Sequence, residues 1–484
     1  MTPKLIVVPG RVLNSPDVNY GRSKIANPRF GSWNMQSFEV ATKADLTYWT
    51  YLWISSQGSF DPWRDDASLN TSLNAFTSTL RQVGINANDC VPGLHMSVTA
   101  GNVEAEIAQA IHRFTSNPTK PPPRLLLVIM PSTDTTIYNS VKYACDVKEG
   151  LLNVCVVAEK FARANSQYFA NVALKVNLKL GGRNQFLDNS KLGILAEGKT
   201  MVVGIDVTHP SPGSSSNAPS VASIVASVDR WLAQWPADLQ IQTAQQELVS
   251  GLDSLFKSRL YLWMKRNDSY PENILVYRDG VSEGEYHQVL DQELPALRKA
   301  CEELYPAIFT KQGIPYITII IVGKRHNTRF YPTKKEDVDR SSNPQNGTVV
   351  DRGVTEARNW DFFLQAHTAI QGTARPAHYY TIYDEIFRCR MVQQPFRSAA
   401  DIVEDLTHNL CYLFGRATKA VSICPPAYYA DLVCERARCY LSGLFDPTPT
   451  ASPTASVAGG PLGQEVDPGR VRIHERVRDK MFYI

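Results

Sequence analysis

Two aspartates end apolar runs in this chain, and together they describe a place where a hard cation could be held. Met201-Val202-Val203-Gly204-Ile205 runs into Asp206 and then Val207-Thr208-His209-Pro210. Ile274-Leu275-Val276-Tyr277-Arg278 runs into Asp279, followed by Gly280 and the acidic Ser282-Glu283-Gly284-Glu285. A short apolar run closed by turn residues reads as a buried strand, and open sheets present their chemistry at strand ends. Two such strands would bring two carboxylates to one edge, and divalent cations take carboxylate oxygens. Either aspartate alone is more often a turn or helix cap; the pairing on two β runs is what points to chemistry. Asp431, in Pro425-Pro426-Ala427-Tyr428-Tyr429-Ala430-Asp431, lies on a helix whose start the prolines set. By itself it reads as an early-turn acid favoured by the helix dipole.

A basic set lies earlier. Tyr138 and Lys142 are four apart in a helical segment with Val141 and Cys145, so ring and ammonium share a face. Lys175 and Lys179 are also four apart, in the alternating Leu174-Lys175-Val176-Asn177-Leu178-Lys179-Leu180, and fall on one side whether that segment is strand or helix. A ring that stacks on a base, with lysines around a phosphate, makes a nucleotide-end pocket. From spacing alone a solvated lysine face is the more ordinary reading. Lys324, Arg325 and Arg329, in a basic turn after an apolar run, suit phosphate-backbone contacts in the same qualified sense.

These residues need a framework, and composition bounds it. The chain has 484 residues, 43% hydrophobic and 20% charged, which suits a globular protein of two to four domains at about 150 residues each. A net charge of +3, from 50 Lys and Arg against 47 Asp and Glu, excludes neither a basic channel nor an acidic site. Nine cysteines form no CxxC pair and leave an odd count, which favours a reduced, cytoplasmic setting. The longest apolar runs, 125–130 and 317–322, are far short of the roughly 18 residues that span a bilayer, so no membrane role is expected.

Residues 1–35, rich in Pro, Asn, Gly and Arg, read as a connecting arm. From 36 to about 182, strand-like runs at 51–55 and 125–130 alternate with helical patterns such as 103–114, which predicts an α/β unit with parallel strands. After the Asp206 strand come strands at 220–228 and 239–243, then a helix carrying Leu248, Leu252, Phe256, Leu260 and Trp263. The Asp279 strand, a helix through Leu290, Leu294, Leu297, Cys301 and Leu304, and a strand at 316–322 follow. Late helices are expected around 399–414 and 427–442. Three strands, a helix, a strand and a helix describe a mixed sheet, the element order of RNase H-like nucleases. The stretch 446–469, of Pro, Thr, Ser, Ala and Gly, is expected to be a disordered surface loop.

With these residues assembled, the chain resembles the MID and PIWI domains of eukaryotic Argonautes. The likeness rests on Val8-Pro9-Gly10-Arg11-Val12-Leu13-Asn14, Gly31-Ser32-Trp33-Asn34-Met35, Leu178-Lys179-Leu180-Gly181-Gly182 and Gly204-Ile205-Asp206-Val207-Thr208-His209-Pro210. It continues through Tyr277-Arg278-Asp279-Gly280-Val281-Ser282-Glu283-Gly284, Lys324-Arg325-His326, Ile370-Gln371-Gly372-Thr373 and Pro426-Ala427-Tyr428-Tyr429-Ala430. The resemblance implies a connecting arm over 1–35, a Rossmann-like MID domain over 36–182 and an RNase H-like PIWI domain with a mixed sheet over 183–484. The family's N-terminal and PAZ domains have no match here, so the chain reads as a C-terminal lobe.

The resemblance further implies a small-RNA-guided silencing protein. PIWI cleaves the target RNA with two divalent ions, Mg²⁺ or Mn²⁺. Its four catalytic side chains fall on Asp206, Asp279, Asp431 and Glu247, the last on a loop after the third strand, with Asp206, Asp279 and Asp431 as metal ligands. The alternative is a guide-binding module with little cleavage that acts through recruited partner proteins. MID holds the 5′-phosphate of the guide and stacks a tyrosine on its first base. Tyr138 matches the stacking residue, Lys142, Lys175 and Lys179 the phosphate lysines, and Arg436 an arginine that reaches in from PIWI, with the Ile484 carboxylate nearby. Where many relatives place a phosphate-binding glutamine before the cysteine matching Cys155, this chain has Val154.

Overall fold

The structure, a computed structural model, describes residues 5–35, 37–56, 58–63, 65–99, 101–307, 313–446 and 466–484. Most of the loop expected at 446–469 lies outside the described residues. Residues 49–179 fold around a four-stranded parallel sheet of β1 (Trp49–Ser56), β2 (Leu94–Val98), β3 (Leu125–Met130) and β4 (Asn153–Val157), in the order β2-β1-β3-β4. Helices α1 (Asp66–Gln82), α2 (Val103–Thr115), α3 (Thr135–Tyr143) and α4 (Ser166–Lys179) accompany it. Every residue of β3 is buried, as expected of a central parallel strand covered on both faces. The alternating stretch 174–180 is helical as far as Lys179. Asn165 opens that helix by accepting a hydrogen bond from the Tyr168 N–H at 2.9 Å.

A second sheet has nine strands. Its centre is the parallel trio β5 (Thr200–Thr208), β8 (Asn273–Asp279) and β9 (Tyr316–Gly323). Antiparallel β6 (Ser220–Ala226) and β7 (Ala237–Gln242) extend it beyond β5. Beyond β9 lie β12 (Ala377–Asp384), β11 (Trp360–Gln365), β10 (Thr348–Val350) and the two-residue strand Arg11–Val12, all antiparallel. The mixed sheet and the strand-helix order of its first half agree with the sequence reading. The strands β10 to β12 add to it, and residues 11–12, expected in a connecting arm, form its edge.

The helix expected from Leu248 starts later. Gly251 takes a positive φ of 64° and α5 runs from Leu252 to Asn267, so Glu247 stays on a loop. In the ladder between β5 and β8, Ile205 pairs with Arg278, so Asp206 and Asp279 emerge at the same level. Helix α6 (Leu294–Leu304) and α5 cover one face of this sheet.

Helices α7 (Ala399–Leu410) and α8 (Pro425–Tyr440) follow, and α8 lies against β5 and β6. Pro425 and Pro426 sit in its first turn, where the missing N–H groups cost nothing. Its approach to β5 depends on Gly204: a Cβ there would stand 1.9 Å from the Pro426 carbonyl oxygen and 2.9 Å from Val225 Cγ2. Gly204→Ala should therefore lift α8 from the sheet and destabilise the protein by about 3 kcal/mol, read as a lower urea midpoint. Parent-like stability in that variant would contradict so close a contact.

Candidate functional site

Register and helix packing bring three carboxylates to the end of the central strands. Asp206 comes from β5, Asp279 from the end of β8 and Asp431 from the second turn of α8. Burial raises the Asp206 carboxyl well above its usual range, and Asp279 and Asp431 push it further. Asp279 is pushed up to about 6 by burial and then by Asp431. Asp431 is likewise raised to about 6, by burial and then by Glu435. Arg325 opposes both shifts, and Lys324 also bears on Asp431. Arg329 instead folds back on its own turn, donating to the carbonyls of His326 and Thr328.

Glu247 joins this group through Gly280. A Cβ at Gly280, whose φ is +89°, would meet Glu247 Oε1 at 3.2 Å and Asp206 Oδ1 at 3.5 Å. The carboxylate of Glu247 is fixed from two sides, at 2.8 Å from His209 Nε2 and 3.0 Å from Arg278 Nη1. Arg278 also donates to the Glu247 carbonyl at 2.7 Å and is itself held by Glu293 at 3.1 Å. His209 is seated by Ser220 Oγ at 2.7 Å. His209 and Arg278 lie inside the strings that pointed to the site, yet their part in holding Glu247 was not read from them. Glu293 had no sequence signal.

Among the described residues, the three carboxylates whose oxygens fall within 4.8 Å of one another are Asp351, Asp401 and Glu404. Asp206, Asp279 and Asp431 stand further apart, as unneutralised like charges must. Their donor set still fits a divalent ion: all oxygen, well buried and held against mutual repulsion that a cation would relieve.

The basic residues line a cavity of about 220 Å³ between α3, β4, α4 and α8, bounded by Tyr138, Lys142, Lys175, Arg416, Glu435 and Arg436 among others. Lys142 lies 5.1 Å over the Tyr138 ring and donates to Asn153 Oδ1. Arg436 binds Asp146 at 2.8 Å and the carbonyls of Phe482 and Tyr483 at 3.0 Å. Lys179 donates to the Phe482 carbonyl and is fully buried, which drives its pKa well down, with Lys142 and Arg436 adding to the effect. Burial, and then Arg416, brings Lys175 down to about 8. Val154 and Cys155 complete one wall. All five residues expected here are thus adjacent. Asp146, Asn153, Arg416 and Glu435 were not anticipated, because long-range packing brings them in.

The raised carboxyls have a consequence for stability. An unfolded aspartate titrates near 3.9, so with Asp279 at about 6 the folded state holds its proton more tightly, and stability falls as pH rises from about 4 to 6. Asp279→Asn should therefore stabilise the protein by roughly 1–3 kcal/mol at pH 7.5 and by little at pH 4, read by urea unfolding at both.

Residues 125–442 match the Piwi domain family. Protein argonaute MEL1 of Oryza sativa subsp. japonica is 35% identical over 99% of this chain and 46% of its own length. The structure of Kluyveromyces polysporus Argonaute with a guide RNA superposes with a TM-score of 0.82 at 28% identity, covering 100% of this chain and 57% of that one. The MID-PIWI domains of N. crassa QDE-2 superpose with a TM-score of 0.65 at 33% identity, covering 92% of this chain and all of that one. The chain spans about half the length of the curated relatives it matches. With the Piwi match over most of its length and the lobe architecture shared throughout, the chain belongs to the Argonaute family and corresponds to its MID–PIWI lobe.

Proposed function

We propose that this chain anchors the 5′-phosphate end of a small guide RNA in the Tyr138–Lys142–Arg436 cavity and cleaves a paired target RNA at the Asp206 site. The observation that carries the reading is that one helix, α8, supplies Asp431 to the acidic site and Arg436 to the basic cavity, so the two are held at a fixed separation. A strand anchored at one site is then measured against the other. The solved relative described with a guide RNA supports the ligand class.

In the cavity, Lys142, Lys175, Lys179 and Arg436 supply donors and charge to the terminal phosphate. The half-buried ring of Tyr138 gives the first base a face to stack on. At the acidic site, Asp206, Asp279 and Asp431 would hold Mg²⁺ or Mn²⁺. When bound, such ions lower the pKa of water and neutralise charge on a phosphodiester. Glu247, fixed by His209 and Arg278, accepts a hydrogen bond from the attacking water, and Lys324 and Arg325 lie where the scissile phosphate gathers charge. Water adds to phosphorus in line, the bond to the 3′ oxygen breaks, and the products are a 3′-hydroxyl and a 5′-phosphate.

A second reading, a guide-binding silencing module that cleaves little and works through partner proteins, draws on the separation of Asp206, Asp279 and Asp431. A guide–target cleavage assay with Mg²⁺ decides between the two: cleavage abolished by Asp206→Ala supports the nuclease, and a parent without cleavage supports the module.

The anchoring claim is tested by affinity for a short RNA with a 5′-phosphate against the same RNA with a 5′-hydroxyl. Lys142→Ala should weaken the phosphorylated RNA about 10- to 100-fold and leave the hydroxyl form nearly unchanged. Equal affinities in the parent would defeat the claim. Lys175 is charged below about 8 and neutral above it, so phosphate-dependent affinity should fall as pH rises from 7 to 9. A flat profile over that range would remove Lys175 from the phosphate contacts.

A further inference from the structure

The guide cavity is cationic except at one place. Glu435 lines it beside Arg436, yet its side chain is exposed and makes no ion pair or hydrogen bond with any described residue. Arg416 lines the same cavity and is equally without such a partner. The other charged groups lie deeper. Lys142, Lys179 and Arg436 are buried, and the charge of Arg436 is matched by Asp146. The cavity therefore has a floor of buried cations and a mouth where a free carboxylate stands.

We propose that Glu435 is a specificity-determining residue that admits a single 5′-phosphate and disfavours 5′ ends carrying further phosphates, an inference that rests on the guide-anchoring reading above. A terminal monophosphate brings a charge of roughly −2, and each further phosphate adds to it. At about 220 Å³ the cavity is small beside the ~300–1,000 Å³ typical of ligand pockets. One phosphate and the edge of a nucleoside fit against the buried cations, whereas a three-phosphate chain does not. Its outer groups must pass the mouth, where they meet the Glu435 carboxylate in a setting less screened than bulk water. Val154, apolar and buried in the wall, offers those groups no donor in exchange. Arg416 alone favours them, so removing the opposing carboxylate should shift the balance at the mouth.

The test is filter binding of one RNA sequence with a 5′-hydroxyl, a 5′-monophosphate or a 5′-triphosphate to the parent chain and to Glu435→Gln. Because Glu435 is exposed and unpartnered, the variant folds as the parent does, and Glu435→Ala provides a second reading of the same position. The parent should prefer the monophosphate to the triphosphate. Glu435→Gln should tighten the triphosphate by about tenfold and the monophosphate by about twofold or less, with the difference shrinking as salt is raised. A parent that binds triphosphate as tightly as monophosphate, or a variant that changes all three ends by the same factor, overturns the role of Glu435 while the anchor stands. A parent that does not distinguish monophosphate from hydroxyl overturns the anchoring reading, and this inference with it.

Discussion

The contact on which both sites depend is the ion pair between Arg436 and Asp146, with side-chain exposures of 5% and 1%. Two charges so buried lose their hydration, and the loss is tolerable only when every donor and acceptor finds a partner. Here they do. Asp146 accepts from Arg436 and from the Tyr440 hydroxyl at one oxygen and from Asn153 at the other, while Arg436 spends its remaining donors on the carbonyls of Phe482 and Tyr483. One pair thereby joins the parallel-sheet unit, helix α8 and the C-terminal segment. Remove the carboxylate and an unpaired guanidinium is left in the wall of the cavity, on the same helix that carries Asp431.

Both arginines that organise the molecule are held in the same way. Asp146 lies in a π-helical turn, Ala144–Glu149, that continues α3, and Glu293 closes another, Val289–Glu293, that precedes α6. A π turn inserts a residue into the helical ladder and redirects the side chains around it, which is why such turns gather at functional sites. In each case the redirected carboxylate reaches a fully enclosed arginine, Arg436 in one and Arg278 in the other. Arg278 in turn presents its free edge to Glu247. A carboxylate two steps from the acidic cluster thus decides where the fourth acid points.

This explains which parts were legible in the sequence. Apolar runs ending in aspartate identified β5 and β8, since a buried parallel strand must be apolar throughout and its register then fixes Asp206 beside Asp279. Tyr138 and Lys142, one helical turn apart, were placed on a common face by local geometry alone. Asp146 and Glu293 were not legible, because a π turn reads as ordinary helix by periodicity. Strands β10 to β12 escaped for another reason. Thr348–Val350 is three residues long and Ala377–Asp384 is only partly buried, so neither shows a clear period, and their order comes from pairing with distant strands. Glu247 carried only a loop position, and its orientation comes from His209 and Arg278, 38 and 31 residues away.

The two acidic trios of the chain show how an internal cation changes what carboxylates can do. Asp351, Asp401 and Glu404 gather within 4.8 Å of one another because the Arg11 guanidinium lies among them, bonded to Asp351 at 2.6 Å, to Asp401 at 2.7 Å and to Glu404. Even so, burial keeps Glu404 near 8, so the arginine does not fully offset the loss of water. That trio is committed: it fastens the edge strand Arg11–Val12 to α7, and its oxygens are taken. Asp206, Asp279 and Asp431 have cations only at their margin, in Arg278, Lys324 and Arg325, none seated among the three. They stand apart, keep their repulsion and leave their oxygens to a ligand from outside. The compact cluster is thus the structural clasp, and the open one is the place where a bound ion would change the chemistry.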